Sequence, residues 1–218
     1  MLLPKRLLFG FFVFLIGFSA SAQHRFNYAL GYNTGIHLKN GGLDFVVDRY
    51  NQNNSLLTQK LQSPLFFYGL NIGADMFLPK NRIATVEWTN RRSNTQAIGN
   101  DTLTNTLFKR DLQYRVNNLS VGIGFKIKSK TEGVTGFYYG ADLCFISVKT
   151  YTRNYQSGAL KPDYTNIDKN LALGFSPHLK YLANRFVAKA YLQFMLSGVD
   201  YMPVNKALNP LTYTGDAS

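Results

Sequence analysis

Ser176 and His178, with Pro177 between them, are the residues whose types and spacing come nearest to nucleophilic catalysis. Residues two apart in an extended strand share a face, which places the imidazole to activate the hydroxyl. Such a pair cleaves esters when a third group orients the imidazole, and no carboxylate lies near it in the sequence. The pair therefore reads first as hydrogen-bonding groups on a polar strand face and second as a lipid-modifying hydrolase. His24 and His37 are too scattered for a metal site, so neither a metal nor a cofactor is expected. Gly122-Ile123-Gly124 falls inside an alternating segment and is no phosphate loop; glycines there ease curvature or fit a crowded interior. The single cysteine, Cys144, lies between Leu143 and Phe145 and reads as a small packed side chain. It leaves an exported chain without an internal disulfide.

A second set of chemistry-bearing residues is the charges embedded in otherwise apolar segments: Asp75, Glu87, Arg91, Asp111, Arg115, Asp142, Lys180 and Lys189. If all face one interior they form a charge network, with Glu87 or Asp111 paired to Arg91 or Arg115 on neighbouring strands. Rings of charge can tune a pore, but in a narrow barrel they pair and fill the interior. Wide conduction is not expected.

The elements that must position these residues are strands. Apolar and polar residues alternate with a period of two over ten or more positions. Phe26, Tyr28, Leu30 and Tyr32 begin the pattern; Phe66, Tyr68, Leu70, Ile72, Ala74 and Met76 continue it; Ala84, Val86 and Trp88 form the third segment. The fourth has Leu112, Tyr114 and Val116 and then Leu119, Val121, Ile123, Phe125 and Ile127, a parity change that predicts a β-bulge at Asn117-Asn118. Phe137 to Phe145, Leu171 to Tyr181 and Phe186 to Leu196 complete seven clear strands. An eighth is short of signal, and only Leu211 to Thr214 would begin one. Long links are expected near 39 to 63, 93 to 107 and 150 to 166, and short ones at Leu78 to Asn81, Lys128 to Gly133 and Leu182 to Asn184. Leu43, Val46, Val47 and Tyr50 have helical spacing, which predicts one short amphipathic helix in the first long link.

The apolar face is dense with Phe, Tyr, Leu and Trp, and the polar face mixes Gly, Ala and Asn with the charges. A barrel of about eight strands has little interior volume, so the small and charged face must point inward. Tyr68, Leu70, Ile72, Trp88, Val121, Ile123, Phe125, Leu192 and Phe194 then face lipid. The fold expected is all-β: an antiparallel up-and-down transmembrane β-barrel of about eight strands. A soluble periplasmic lipocalin-like binder is the alternative, although its strands would be shorter.

The ends fit export. Lys5 and Arg6, the apolar run Leu7 to Phe18 and Ala20-Ser21-Ala22 have the layout of a signal peptide, with cleavage expected after Ala22. Residues 23–218 then form one barrel domain in the outer membrane. The formal charge of +12 falls to +10 when Lys5 and Arg6 leave, and anionic lipid, not nucleic acid, is the expected counter-charge.

Gly42 to Asn51, Glu87 to Arg92 and Arg110 to Asn117 resemble stretches of the small outer-membrane β-barrel proteins of Bacteroidota. The resemblance implies location and fold but no reaction. The tail departs from the strong final strand of such proteins, so the closing strand is short and irregular, supplied by another chain, or missing from this one. The function expected is non-enzymatic, with loops rich in Asn, Thr and Tyr serving binding or envelope integrity. Outer-membrane lipids, the barrel-assembly machinery and a protein at the external loops are the expected partners.

Overall fold

The computed structural model describes residues 26–37, 41–101, 106–127, 134–156, 159–183 and 186–209. The signal segment, His24, the link at 128 to 133 and Leu211 to Thr214 lie outside the described residues. Seven long strand segments run as an antiparallel meander: β1 (Phe26–Ile36), β3 (Phe66–Leu78), β4 (Arg82–Asp101), β5 (Thr106–Lys126), β6 (Gly136–Gln156), β7 (Thr165–Ala183) and β8 (Phe186–Tyr191). Between β1 and β3 come helix α1 (Gly41–Asn53) and the three-residue β2 (Leu57–Gln59), which pairs with β4. After β8 come β9 (Phe194–Met195), paired with β7, and helix α2 (Met202–Leu208). The sheet curls into a nearly closed barrel, with β1 and β8 as its two edges.

Alternation produces this curl because one parity on every strand can be buried. On β4, Ile83, Thr85, Glu87, Thr89, Arg91, Ser93 and Ala97 are buried, and Trp88, Arg92 and Asn94 between them are exposed. The exposed parity carries the large apolar side chains, among them Leu30 at 78 %, Leu171 at 73 % and Leu192 at 64 % exposure. The outer face thus carries large apolar side chains, and the inner face includes a belt of buried charges.

Along the axis the interior is layered. Ile83, Tyr138 and Leu182 close the end that holds the β3–β4 turn, where Lys80 and Asn81 adopt left-handed φ of 63° and 58°, the backbone of tight hairpin turns. Above them lies a belt of charges, then Cys144, Ile146, Val148 and Ala172. At the opposite end α1 lays Leu43, Val46, Val47 and Tyr50 against Ala97, Leu112 and Tyr114 of β4 and β5 and against Val204 and Leu208 of α2.

Four readings of the sequence need correction. The expected bulge at Asn117-Asn118 is absent: β5 pairs in unbroken register with β4 and β6 through these residues. The parity changes because the interior changes; Leu112 and Tyr114 face inward to meet the helices, and Leu119, Val121 and Ile123 face outward. The links at 93 to 107 and 150 to 166 are mostly strand, for β4, β5, β6 and β7 run for 20, 21, 21 and 19 residues. Polar residues on both faces had disguised them as loop. Finally, the tail after Gly198 contains α2, whose seven residues are too few for a periodic signal.

The last long segment, Phe186 to Leu196, is a single strand with a gap. Pairing of His178 with Tyr191, Phe175 with Phe194 and Leu173 with Leu196 keeps one register throughout. Pro177 faces Leu192 at the gap and accepts its N–H at 3.1 Å. The reciprocal bond is missing because proline has no N–H to return.

Candidate functional site

The charges of the inner belt come from strands that are not neighbours, so their bonds cross the interior. Lys180 on β7 reaches Asp75 on β3 at 2.5 Å. Lys189 on β8 bridges Glu87 on β4 at 2.5 Å and Asp142 on β6 at 2.7 Å. Asn71 donates to the second oxygen of Glu87 at 2.5 Å, and Thr85 donates to that of Asp142 at 3.2 Å. Asp75, Glu87, Asp142 and Lys180 are buried, and Lys189 is half-buried. A carboxylate removed from water is tolerated only when it is paired and its remaining lone pairs are satisfied, and these second donors meet that requirement for Glu87 and Asp142.

Arg91 is also buried on the inner face, but no carboxylate meets it. Its guanidinium donates to the Tyr191 hydroxyl at 3.0 Å and to Gln193 Oε1 at 2.7 Å, and Tyr191 in turn donates to Asn33 of β1 at 3.0 Å. This chain joins β4, the β8 edge and the β1 edge. Side chains here bridge the two edges that the described backbone leaves without a ladder.

Of the eight charges expected inside, Asp75, Glu87, Arg91, Asp142, Lys180 and Lys189 line the belt. Asp111 and Arg115 do not. Both lie on the outer face of β5, where Asp111 opposes Gln96 and Arg153, and Arg115 opposes Arg92 and Lys149. Asp111 pairs with Arg153 at 2.6 Å, and Arg115 lies over the Tyr151 ring at 4.8 Å. The misplacement follows from the bulge that is not there, since one residue of slip moves a side chain to the other face. The pairs expected between Glu87 or Asp111 and Arg91 or Arg115 are replaced by the two lysines, whose partners only the curl of the sheet brings near.

Among the residues expected to face lipid, Tyr68, Leu70, Ile72, Trp88, Val121, Ile123, Leu192 and Phe194 are exposed on the outer face. Phe125 is half-buried there between Arg82, 5.7 Å from its ring centre, and Tyr139 at 5.8 Å.

Ser176 and His178 share the inner face and are buried. His178 does have a carboxylate, which its sequence neighbours conceal: Asp142 Oδ2 lies 3.2 Å from Nδ1. Asp142 opposes Ser176 across β6 and β7, so the three are together only because of register. The group lies between the apolar layer of Tyr138, Leu182 and Ile83 and that of Ile146 and Val148. Cys144 is fully buried beside it. Gly122 is crowded, since a Cβ there would sit 2.0 Å from Asp142 Oδ1 and 2.4 Å from the Ala141 carbonyl; the glycine makes room for the charge network.

No family model, curated protein or solved structure matches the chain.

Proposed function

We propose that the protein is a non-enzymatic outer-membrane barrel whose curled sheet spans the bilayer and holds a rigid external platform for a partner. One observation carries this reading. Among the described residues of all strands, the outer face between the level of Arg82 and that of Arg92 bears no Asp, Glu, Lys, Arg or His. It is built from residues such as Leu70, Ile72, Trp88, Val121, Leu143, Phe175 and Leu192, in mutual register. Ten residues of tilted strand cover about 25 Å, the height of the apolar band of outer-membrane barrels. In water this rim would be an aggregation surface; in lipid it is the required one, and a curled sheet pairs its own backbone there.

The platform reading rests on length. About 9 to 11 residues suffice to cross the membrane, yet β4 to β7 have 19 to 21, so nearly half of β4 and of β5, a third of β6 and the first few residues of β7 extend beyond the band on the side of α1 and α2. The charge belt and the layers above and below it favour a filled interior over a conducting one. Export by the N-terminal segment and insertion by the barrel-assembly machinery complete the proposal.

Trp88 is the only tryptophan and lies on the outer face within the band, so the test needs no labelling. On folding into vesicles, its emission is expected to shift to shorter wavelength and be quenched by lipids brominated along their acyl chains, with the unheated protein migrating as a compact form on gels. A soluble chain whose Trp88 is indifferent to brominated lipid ends this reading.

A further inference from the structure

Directly above the charge-free band, register places four cations in one row. Arg92 of β4 is opposite Arg115 of β5, Arg115 is opposite Lys149 of β6, and Lys149 is opposite Lys169 of β7. All four lie on the outer face, and among the described residues none is in an ion pair; the nearest acid on that face, Asp111, is held by Arg153. Like charges directly opposite one another destabilise a sheet. A row of four on adjacent strands, without one acid to relieve it, points to a counter-charge from outside the chain.

We propose that this row binds the phosphate groups of an anionic lipid in the external leaflet, its acyl chains lying on the apolar band below. The inference rests on the membrane reading given above. The position is that of a head group, because the row begins where the uncharged surface ends, and Asn90, Asn117 and Ser147 in the row beneath offer polar partners at the depth of acyl linkages. The arginines are held ready: Arg92 lies over the Tyr68 ring at 5.6 Å, and Arg115 lies over Tyr151 at 4.8 Å while donating through Nε to Gln113 at 2.7 Å. Stacking fixes the plane of a guanidinium and leaves terminal N–H groups for two-point contact with phosphate. Tyr68 and Tyr151 also suit the interface, where amphipathic rings settle. The two lysines extend the site as mobile point charges, so the row matches a head group carrying more than one phosphate.

The test uses the full chain folded in detergent micelles doped with bis-phosphorylated lipid A or with the same lipid after removal of its phosphates, and measures lipid retained through purification. Wild type is expected to prefer the phosphorylated lipid by at least about tenfold, as several cations at a membrane surface should. R92Q/R115Q/K149Q/K169Q is expected to lose that preference, and Arg82→Gln, at the other edge of the band, to keep it. Should the fourfold variant not fold, R92Q/R115Q and K149Q/K169Q are read separately, each with a reduced preference. Equal retention of the two lipids, an unchanged preference in the variants, or an equal loss with Arg82→Gln overturns the proposal. Displacement of the lipid by inorganic phosphate at matched concentration also overturns it, in favour of a free anion. A folded barrel with Trp88 quenched but no phosphate preference sinks this inference alone. A chain that never enters micelles or vesicles sinks the membrane reading and this one with it.

Discussion

Lys189 is the residue on which the interior depends most, because two carboxylates share it. Lys189→Met keeps the bulk of the stem but leaves Glu87 and Asp142 buried without their cation. Breaking a buried pair in this way costs about 3–5 kcal/mol, and here it strands two acids at once. The temperature at which the compact gel form disappears is expected to fall sharply, and an unchanged value would mean that water reaches the belt. His37, just past the end of β1, responds to pH instead. Burial pushes its imidazole below the ordinary value, with Asp44 opposing and Arg91 adding to the shift. The folded state therefore binds fewer protons than the unfolded one at this site. The His37 contribution is full above the unfolded value of about 6.5 and is lost as pH falls from there through the lowered folded value. Unfolding midpoints measured between pH 7.5 and 5.5 are expected to decline, and His37→Phe, retaining the edge contact with Phe67 at 5.9 Å, should flatten that decline.

Among the elements, the final strand is the weakest, held on one side by β7 alone and interrupted opposite Pro177. Pro177→Val restores a donor aimed at the Leu192 carbonyl and places a β-branched side chain on the apolar outer face. A gain of about 0.5–1.5 kcal/mol is expected from one hydrogen bond, together with slower amide exchange at Leu192 and its neighbours. Exchange that stays as fast as in the wild type would show that the gap has another cause. The long strands β4 to β7 account for the contrast between the two ends of the molecule. Near the β3–β4 turn β4 and β5 end at the apolar band, and at the other end they continue as a sheet against which α1 and α2 pack.

At the scale of the whole molecule, the curl is held by bonds across the interior, and two adjacent arginines test this. Arg91 ties β4 to the last strand, whereas Arg92 points outward. Arg91→Leu removes two charged hydrogen bonds, each worth about 1.5–3 kcal/mol, and is expected to lower the melting point of the compact form. Arg92→Leu is expected to stay within about 0.5 kcal/mol of wild type, as surface changes usually do. Equal effects of the two would contradict the separation of inner and outer faces.

Most of the architecture was legible in the residues, because alternation is a local property: seven strands, the α1 helix through Leu43, Val46, Val47 and Tyr50, and the inward turn of Asp75, Glu87, Asp142, Lys180 and Lys189 all follow from parity within a segment. Parity gave no warning at Leu112, Tyr114 and Val116, where apolar side chains turn inward to meet helices far away in the chain, and this misplaced Asp111 and Arg115. Pairing is non-local. The union of Lys189 with Glu87 and Asp142, the carboxylate beside His178 and the row Arg92, Arg115, Lys149 and Lys169 depend on how strands distant in sequence slide and curl, and only the tertiary structure decides that. A strand's own residues determine which face each side chain takes; they do not determine what lies across from it.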